Sequence, residues 1–521
     1  MKKYIYTYVM RIQFLLKNTG MYERLGIMTL SSVLKKKGHE VSLTLTEELS
    51  EEDIVKNIKT YKPHILAYSV MTGEHVYHIE LNQMVRSHYN DALSVFGGPH
   101  PTYCPEMIEK DYVDAICRGE GEMYFTQLVE KLEQGQDFYD TKNFWFKKKD
   151  GSIIKNKMGS LIDNLDNDPS PDRKLMYDAD KALKARSTKM FMATRGCPYQ
   201  CTYCFNHAYN ALTKDKGEMI RSRSVDSMLN EIQEVKDNYF MDRVHIEDDI
   251  FLLKPKGWLE EFAEKFPKKI GLPLFVNVRP ETINEKTGFL LNKMNCTHVC
   301  MGIECGNNEV ARKVLKRNTT NERIIESVKI LKKNNVKVMT QNLIGLPVPN
   351  PVEVDYSTLD FNIKLKPYYA WSSILYPYPG TEIGSLATKI GFFDNDFEKT
   401  TISNKSSSNL KFKDAKEKMK VNNFHKLFSI IVQFPFLRPF TNFLISLPLS
   451  FVYTWIYFAF YGYKLLVQAT LKGILYTIGH YLKFYLKYVS RLEKRIKFKN
   501  TLPASKKSPT INTKGQLSQR P

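Results

Sequence analysis

The chain has 521 residues, of which 43% are hydrophobic and 25% are charged. This length exceeds what one hydrophobic core organises, so it predicts two or three domains and excludes a single small module. The composition also excludes a chain that is disordered throughout. The formal net charge is +20, and residues 401–521 hold 21 Lys and Arg against 3 Asp and Glu. The basic character therefore belongs to the C-terminal segment.

The cysteine content indicates a reducing compartment. Eight cysteines in 521 residues are too few for a disulfide scaffold, and three of them fall within eight positions, which favours a metal site. The first residues include two lysines but neither a sustained apolar run nor a small-residue cleavage site. A secretory signal is therefore not expected, and a cytoplasmic location is predicted.

Between residues 10 and 133, short apolar runs alternate with amphipathic segments. Strands are predicted at 12–16, 41–45, 65–70 and 93–96, with helices between them. The alternation predicts an α/β domain over residues 1–139, with a doubly wound, Rossmann-like parallel sheet. Such folds bind ligands at the carboxyl ends of the strands, where residues 69–73 (SVMTG) and 97–102 (GGPHPT) lie.

Residues 140–185 are rich in polar turn sequences and predict a hairpin followed by a linker. From 186 to 405 the alternation of strands and helices returns. Strands are predicted at 190–194, 244–247, 274–278, 298–303, 336–344 and 370–375. Six such units predict a partial (β/α)6, TIM-like barrel, whose functional residues are expected at the C-terminal ends of the strands.

A cysteine triplet follows the first predicted barrel strand. Residues 193–204 (ATRGCPYQCTYC) place Cys197, Cys201 and Cys204 in a C-x3-C-x2-C pattern. Three thiolates on one short loop can hold three irons of a four-iron cluster and leave the fourth iron open to a ligand. One alternative is a structural zinc site, which needs a fourth ligand and usually a second C-x2-C pair. The other is three unrelated structural cysteines.

This loop resembles the signature of radical S-adenosylmethionine (SAM) enzymes, with the aromatic Tyr203 before the last cysteine. The resemblance implies that the three cysteines hold a 4Fe-4S cluster and that SAM binds the open iron. It also implies that reductive cleavage of SAM yields a 5′-deoxyadenosyl radical. An external electron donor of the flavodoxin or ferredoxin type is expected.

Further segments of the barrel resemble the SAM-binding motifs of this family. Residues 246–251 (IEDDIF) follow the second strand, so Asp248 and Asp249 are expected to bind the methionine amine. A divalent metal at this pair is the alternative, but too few partner ligands follow. The residues expected near the carboxylate, ribose and adenine of SAM are, respectively, Arg279, Glu304 and Gly345.

A second group of thiols comprises Cys296, just before the predicted fourth barrel strand, Cys300 within it and Cys305 just after it. A second cluster is one interpretation. Strand alternation and the short chain between these residues favour buried thiols of the barrel wall, since cysteine is among the residues most often fully buried.

Four segments of the first domain together resemble the cobalamin-binding domain that precedes the barrel in one subgroup of radical SAM enzymes. That subgroup includes the anaerobic magnesium-protoporphyrin monomethyl ester cyclase and the hopanoid methylases. The D-x-H-x-x-G motif that supplies a histidine to cobalt in other cobalamin domains is absent. The cobalamin contacts implied by the resemblance are Ser69, Thr72, Gly73, Gly97, Gly98, His100, Gly119 and Glu120.

The C-terminal segment is predicted to be a helical extension at 406–499 and a disordered tail at 500–521. Between Arg438 and Lys464 lie 25 uncharged residues, and 451–463 contain eight aromatic residues. This length permits one membrane span. The aromatic crowding, Pro448 and the basic neighbours favour helices that lie in the membrane interface instead. A helical cap packed on the barrel is the other alternative, and nucleic-acid binding is disfavoured because no groove-reading motif is present.

Together these features predict a radical SAM enzyme that uses cobalamin to methylate or rearrange an unactivated carbon of a hydrophobic substrate. It is expected to lie at the cytoplasmic face of the membrane. One alternative is a cyclase or oxidoreductase that transfers no methyl group. Others are a non-catalytic, membrane-anchored redox or cobalamin sensor and a zinc-stabilised binding module. No catalytic side chain is predicted, because the cofactors carry the chemistry.

Overall fold

The computed structural model describes residues 9–400 and 407–468, with side chains described as far as residue 464. Contacts divide the chain into two compact units, Met1–Tyr461 and Gly462–Pro521. The described strands and the sites discussed below all lie in the first unit. The predicted tail at 500–521 and the part of the predicted extension from 469 onward lie outside the described residues.

From residue 9 onward, where the structure describes the N-terminal domain, it contains seven strands and five helices. The strands are β1 (Arg11–Leu16), β2 (Glu40–Leu45), β3 (Ile65–Ser69), β4 (Leu93–Gly97), β5 (Ala115–Cys117), β6 (Phe144–Lys147) and β7 (Ile153–Lys155). The helices are α1 (Leu25–Lys36), α2 (Glu51–Tyr61), α3 (His75–Arg86), α4 (Pro99–Tyr103) and α5 (Glu122–Glu133).

These strands form one sheet in the order β2-β1-β3-β4-β5-β6-β7, with β1 to β5 parallel. Apolar side chains are buried on both faces of the sheet, with Ile12 and Phe14 in one core and Leu66 and Phe96 in the other. Because the strand order reverses between β1 and β3, a ligand crevice is expected at the carboxyl ends there. The predicted doubly wound domain is confirmed.

The sheet continues beyond residue 139. The predicted hairpin is present, but its strands β6 and β7 add to the edge of the first sheet, with Ile116 opposite Trp145 in an antiparallel ladder. Phe144 and Phe146 are buried in the domain core, which explains why the hairpin docks there. Strands of four and three residues are too short for their periodicity to show which sheet they join.

Two short helices, α6 (Arg173–Ala179) and α7 (Lys181–Ala185), connect the domains. The connection is packed, because α6 buries Met176 and Tyr177. It also buries Arg173, whose guanidinium donates to Glu231 and to the carbonyl of Met190, both at 2.7 Å. The interval predicted as a linker therefore ties the two domains together.

As far as residue 400, the described part of the second domain contains eight strands and eight helices. The strands are β8 (Thr188–Phe191), β9 (Thr194–Arg195), β10 (Arg221–Ser222), β11 (Arg243–Ile246), β12 (Leu274–Val278), β13 (Cys296–Glu304), β14 (Lys337–Ile344) and β15 (Tyr369–Ile374). The helices are α8 (Phe205–Leu212), α9 (Val225–Asn238), α10 (Trp258–Lys269), α11 (Glu285–Lys293), α12 (Asn308–Lys313), α13 (Asn321–Lys333), α14 (Pro351–Leu365) and α15 (Glu382–Lys389).

Six of these strands form a parallel sheet in the order β8-β11-β12-β13-β14-β15. All six predicted barrel strands are present, so the predicted partial barrel is confirmed. Residues such as Val276, Val299 and Val338 are buried in the core between the sheet and its helices. The alternate residues of each strand face the inside of the barrel.

The C-terminal helices are α16 (Ala415–Gln433), α17 (Thr441–Ser446) and α18 (Ser450–Gln468). Phe424 and Phe428 of α16 pack in a buried cluster with Ile344 and Ala370 of the barrel sheet. The predicted helical extension is confirmed as far as the structure describes it. Among residues 9–400 and 407–468, no helix combines the length and the apolar character that a membrane span needs.

Candidate functional site

The cysteine loop lies at the carboxyl end of β8, directly before α8. Cys197 and Cys201 are buried, Cys204 is half-buried, and all three thiols are free. The backbone N–H of Cys204 donates to the carbonyl of Cys201 at 3.1 Å, which closes a turn of the loop. Burial raises the pKa of Cys197 to about 11 and that of Cys204 to about 12. Metal binding would therefore release protons from these thiols.

Cationic and amide donors face the sulfur atoms of this loop. The Arg279 guanidinium donates to the Cys201 sulfur at 3.1 Å and lies over the Tyr199 ring, 3.8 Å from its centroid. The amide of Asn206 approaches the Cys204 sulfur at 3.7 Å. Hydrogen bonds and positive charge near the sulfurs stabilise anionic thiolates, so this environment fits an iron-sulfur cluster.

The spacing of the thiols bears on the alternative of a zinc site. Across the part of the chain that the structure describes, no three His, Cys, Asp or Glu side chains come together as ligands of a single ion. Zinc ligands must meet at one ion, whereas each thiolate of a four-iron cluster can bind a different iron. Three thiolates on one loop suit three different irons of a cluster, and Cys296, Cys300 and Cys305 are buried thiols.

Asp248 and Asp249, which were predicted as a pair, lie in different environments. Asp248 accepts hydrogen bonds from the backbone N–H groups of Ala193 and Thr194 at 2.7 and 2.8 Å, and its other oxygen pairs with Lys254. Neither the Asp248 nor the Lys254 side chain has exposed surface. Asp249 instead lines a cavity, and burial raises its pKa despite a hydrogen bond with Asn206. Only Asp249 therefore offers its carboxylate to a ligand.

Glu304 and Tyr203 meet beside the cysteine loop, together with an arginine that the motifs did not indicate. Glu304 has a left-handed backbone (φ 67°) and is buried, and burial raises its pKa although a Tyr203 hydrogen bond opposes the shift. Arg317 donates to the Tyr203 hydroxyl at 3.2 Å and to the Gly302 carbonyl, and lies 4.0 Å from the Cys201 sulfur. Arg317 stands outside every motif recognised in the sequence, so no sequence signal identified it.

Gly345 has a packing role in this structure. Its backbone is left-handed (φ 72°), and a Cβ there would lie 2.6 Å from Val421 of α16. Its N–H donates to the buried carboxyl of Asp355 at 3.0 Å. The glycine therefore lets the C-terminal helix approach the barrel, and the predicted adenine contact stays a prediction.

A cavity of about 530 Å³ lies between the carboxyl edge of the first sheet and the mouth of the barrel. Gly196 and Asn206, on either side of the cysteine triplet, line it together with Asp249. The predicted cobalamin contacts that line it are Ser69, Gly97, Gly98, Gly119 and Glu120. Both predicted cofactor sites therefore open into one cavity.

The other predicted cobalamin contacts form a separate cluster. Thr72 Oγ1 and His100 Nδ1 are 3.1 Å apart, and the His100 ring stacks on His75 with centroids 3.9 Å apart. The N–H of Gly73 donates to His75 Nδ1 at 3.2 Å. Burial lowers the pKa of His100 to about 3, so this imidazole is neutral at physiological pH. Thr72, Gly73 and His100 are not among the residues that line the cavity.

Glu120 joins the two domains. Its carboxylate pairs with Arg221 at 2.8 Å and with Arg195 at 3.3 Å, and accepts a hydrogen bond from the Ile162 N–H at 3.0 Å. Arg195 also pairs with Glu122 at 2.7 Å. We call this group of ion pairs between Glu120, Glu122, Arg195 and Arg221 the Glu120 clasp. Because these contacts occupy the Glu120 carboxylate, the predicted contact of this residue with cobalamin would have to come from its backbone.

The cavity wall on the first domain suits a large planar cofactor. Phe14, Leu25 and Leu30 supply apolar surface, and the glycines leave backbone accessible. Gly26 lines the cavity, and a Cβ added there would meet no atom within 4 Å, so this part of the wall is open. Gly98 differs, because its backbone is left-handed (φ 96°) and an added Cβ would lie 2.9 Å from Val70. The turn therefore requires glycine at this position.

A thiol loop at the mouth of a partial barrel, facing a doubly wound domain across one cavity, defines an enzyme that brings two cofactors to one substrate. The family models for the Radical SAM superfamily and the B12 binding domain match residues 192–357 and 15–129, respectively. The chain therefore belongs to the radical SAM enzymes that carry an N-terminal cobalamin-binding domain. Its cofactors are a 4Fe-4S cluster, SAM and cobalamin.

Several curated proteins are similar to this chain over most of its length. An uncharacterized methyltransferase of Pyrococcus horikoshii is 27% identical over 70% of this chain and 78% of its own length. The anaerobic magnesium-protoporphyrin IX monomethyl ester cyclase of Rubrivivax gelatinosus is 25% identical, over 68% of this chain and 64% of its own length. The hopanoid C-3 methylase of Methylococcus capsulatus is 22% identical, over 69% of this chain and 68% of its own length.

Solved structures confirm the fold. The radical SAM methyltransferase TsrM from Kitasatospora setae, with cobalamin and a [4Fe-4S] cluster bound, aligns with a TM-score of 0.59 at 17% identity. The alignment covers 73% of this chain and 75% of that chain. The cobalamin-dependent radical enzyme OxsB with aqua-cobalamin bound also gives a TM-score of 0.59, over 75% of this chain and 56% of that chain, at 17% identity.

Proposed function

We propose that this enzyme transfers a methyl group to an unactivated carbon of a largely apolar substrate. The observation that carries the proposal is the single cavity shared by the surroundings of the cysteine loop and the glycine loops of the first sheet. When bound, the cluster and SAM supply a radical that removes hydrogen from carbon, and cobalamin supplies the methyl group. Both cofactors must reach the same carbon, which a shared cavity allows.

In this proposal the protein binds and orients the cofactors. Cys197, Cys201 and Cys204 hold the cluster, and Asp249 accepts a hydrogen bond from the ammonium group of SAM. Arg279 contributes positive charge beside Cys201, and the surrounding cavity wall limits access of water. The cluster would be reduced by an external donor of the flavodoxin or ferredoxin type, which a comparison of reduced flavodoxin, reduced ferredoxin and dithionite as reductants would test.

A reaction without methyl transfer is the second candidate, supported by the similarity to the cyclase of Rubrivivax gelatinosus. Anaerobic incubation with methyl-labelled SAM and membrane lipid extract, followed by mass spectrometry, separates the two. Methyl transfer puts the label into a lipid-soluble product. A cyclase or oxidative reaction gives 5′-deoxyadenosine and a modified but unlabelled product. A non-catalytic sensor gives neither, and a variant with the three loop cysteines changed to Ala is the control.

We infer that the C-terminal helices bind an anionic membrane surface, which supports a membrane-partitioned substrate. In this region the structure exposes large apolar side chains at Phe434, Phe436, Phe440, Phe443, Leu449, Phe451, Val452 and Ile456. Phe436 is 70% exposed and Phe443 is 64% exposed. A single exposed apolar side chain needs no explanation, but a group of them indicates an interaction surface. The excess of Lys and Arg after residue 400 would add attraction to anionic lipid.

The membrane proposal is best tested by surface substitutions. Truncation near residue 405 would remove α16 and expose the cluster around Phe428, so a loss of binding would be ambiguous. Changing Phe436 and Phe443 to Ser should weaken co-sedimentation with anionic liposomes without lowering stability. Phe289, on α11 of the barrel and 59% exposed, provides the matched control. Equal liposome binding by the double variant and the Phe289→Ser variant would contradict the proposal.

A further inference from the structure

The segment that connects the two domains contributes its own part of the cavity wall. Its cavity-lining residues are Leu161, Leu165, Asp168, Pro169 and Pro171. Asp168 is the one among them whose side chain is polar, and the others are apolar. Ligand sites are typically built from apolar surface with a few placed polar groups that fix the orientation of the ligand. The connecting segment therefore adds a wall of this kind to the cavity, with one carboxyl group in it.

This part of the segment is anchored on both sides of Asp168. Asp166 accepts hydrogen bonds from the N–H of Ser224 in the second domain, at 3.1 Å to each carboxylate oxygen. Asp172 accepts a hydrogen bond from the hydroxyl of Ser31 on α1 of the first domain at 2.7 Å. The proline that follows Asp168 favours an extended backbone, and Asp168 has one (φ −79°, ψ 142°). The fold therefore holds Asp168 in place between the two domains.

The Asp168 carboxyl group is not used inside the fold. Asp168 is half-buried, and its Oδ2 atom is buried without a hydrogen-bond partner among residues 9–400 and 407–468. A buried polar atom costs free energy unless it is hydrogen-bonded. Burial raises the pKa of Asp168, the charge of Glu122 adds to the shift, and the charge of Arg195 opposes it. A carboxyl group with a raised pKa can donate as well as accept, so Asp168 suits a ligand group that does both.

Asp168 lies beside the part of the cavity that belongs to the first domain. The charged groups with the largest influence on its pKa are Glu122, Arg195 and Glu120, which all belong to the Glu120 clasp. Gly119, which precedes Glu120, lines the cavity and is a predicted cobalamin contact. We therefore expect the ligand nearest to Asp168 to be the cofactor of the first domain.

We propose that Asp168 binds a primary amide on the rim of the corrin ring of cobalamin. Cobalamin carries primary amides on short side chains around this rim, together with methyl groups. An amide N–H can donate to the Asp168 carboxylate, and protonated Asp168 can donate to the amide carbonyl, so the pair forms in either state. The methyl groups fit Leu161 and Leu165 of the same wall. The inference goes beyond the proposed function, because it concerns how the cofactor is held whichever reaction follows.

The test uses the full chain, reconstituted anaerobically with its cluster. Hydroxocobalamin is added, and its dissociation constant is measured by equilibrium dialysis with absorbance detection. Asp168→Leu and Asp168→Asn are compared with Asp163→Leu, because Asp163 is an exposed carboxylate of the same segment that is not among the cavity-lining residues. Urea denaturation of the cobalamin-free proteins separates a binding role from a structural one.

Asp168→Leu should weaken hydroxocobalamin binding about tenfold, because it leaves a cofactor amide without its partner. Asp168→Asn should retain most of the affinity, since an amide also donates and accepts, and Asp163→Leu should retain all of it. Asp168→Leu should not lower the urea midpoint, because the fold does not use this carboxyl group. An unchanged dissociation constant in Asp168→Leu, or an equal loss in Asp163→Leu, would overturn the proposal.

Two kinds of cobalamin derivative identify the contacted group. Cobinamide keeps the rim amides but lacks the nucleotide tail, so Asp168→Leu should weaken its binding by the same factor. A loss confined to hydroxocobalamin would place the contact on the tail and refute the rim assignment. The second kind is the series of cobalamin acids in which each rim amide in turn is replaced by a carboxylate. One acid should bind wild type poorly, through repulsion by Asp168, and Asp168→Asn should relieve this penalty for that acid alone. Equal relief for every acid, or for none, would contradict a specific contact.

A different occupant would give a different pattern. If Asp168 instead contacted SAM, Asp168→Leu would weaken SAM binding, measured by calorimetry on the same reconstituted protein, and leave hydroxocobalamin binding unchanged. That result would overturn the assignment to cobalamin. The proposal expects the reverse, with SAM affinity equal in wild type and Asp168→Leu.

Discussion

Substitutions of Asp248 and Asp249 should affect different properties, stability and SAM binding respectively. Only Asp248 forms a buried ion pair, whereas Asp249 lines the cavity. Changing Asp248 to Asn removes the charge that compensates the buried Lys254. The new amide oxygen can still accept from the N–H groups of Ala193 and Thr194. The expected loss is therefore the cost of leaving one partner of a buried ion pair alone, about 3–5 kcal/mol of unfolding free energy.

A double-mutant cycle tests whether the lost stability comes from the unpaired charge of Lys254. Lys254 lies 4.8 Å from the centroid of the Trp258 ring and 5.3 Å from that of Phe251, surroundings that accept an apolar side chain. Adding Lys254→Met to Asp248→Asn should recover most of the lost stability, since apolar replacements of buried ion pairs are often neutral. Because burial lowers the pKa of Lys254, the penalty of Asp248→Asn should shrink as pH rises and the lysine loses its proton.

The assay is urea denaturation of the apo-protein, followed by tryptophan fluorescence, with SAM affinity measured by calorimetry on the reconstituted protein. Asp249→Asn should change the unfolding free energy by less than about 1 kcal/mol, yet weaken SAM binding about tenfold or more, because it removes a charged acceptor. The reasoning would be refuted by an Asp248→Asn protein as stable as the wild type. Equal losses of stability in the two variants would also refute it.

Three further outcomes are expected. Gly26→Trp should fill the open wall of the cavity and abolish cobalamin binding measured by absorbance, whereas Gly26→Ala should retain it. Arg317→Gln should shift the cluster's reduction potential, measured by spectroscopic titration, to more negative values, and Arg317→Lys should restore part of the shift; an unchanged potential would contradict this role. Glu120→Gln should cost about 3–5 kcal/mol of unfolding free energy near neutral pH, and a change below about 1 kcal/mol would show that the clasp is not stabilising.

The Glu120 clasp also sets a direction of pH dependence. Burial alone would raise the pKa of Glu120, but the Arg221 hydrogen bond and the charges of Arg195 and Arg221 lower it overall. A depressed carboxyl pKa contributes stability that is fully present above the ordinary value of 4.5 and is lost as pH falls through the folded-state pKa. The difference in stability between wild type and Glu120→Gln should therefore narrow on acidification.

The fold was accessible from sequence because its parallel strands are buried. The predicted run 65–70 corresponds to β3, and the run 274–278 coincides with β12. Continuous apolar character and the following glycine-rich or charged loops mark such strands without knowledge of their partners. The hairpin of β6 and β7 was predicted as a hairpin, but its attachment to the first sheet depends on burial of Phe144 and Phe146 against distant residues.

The site was predictable only where one segment carries the chemistry. The three cysteines share a loop, so their spacing alone indicates a cluster. The separate roles of Asp248 and Asp249 depend on Lys254, and the role of Glu120 depends on Arg195 and Arg221, which are 75 and 101 residues away along the chain. Contacts between residues so far apart in the chain leave no local sequence pattern. Asp248 and Asp249 both fit the motif, so the motif does not show which of them pairs inside the fold.

The same long-range contacts show how this chain couples its two cofactor sites. Arg195 stands two residues before Cys197, and its guanidinium holds Glu120 and Glu122 of the first domain. The position of the cysteine loop is thus tied to the loop after β5, whose Gly119 lines the cavity on the opposite side. A shift of the first domain would move Glu120 and Glu122 away from Arg195, and a half-buried network with several partners resists such a shift. The proposed methyl transfer needs both cofactors close to one carbon. The clasp is one of the contacts that hold the two walls of the cavity together, and the Arg173–Glu231 pair is another.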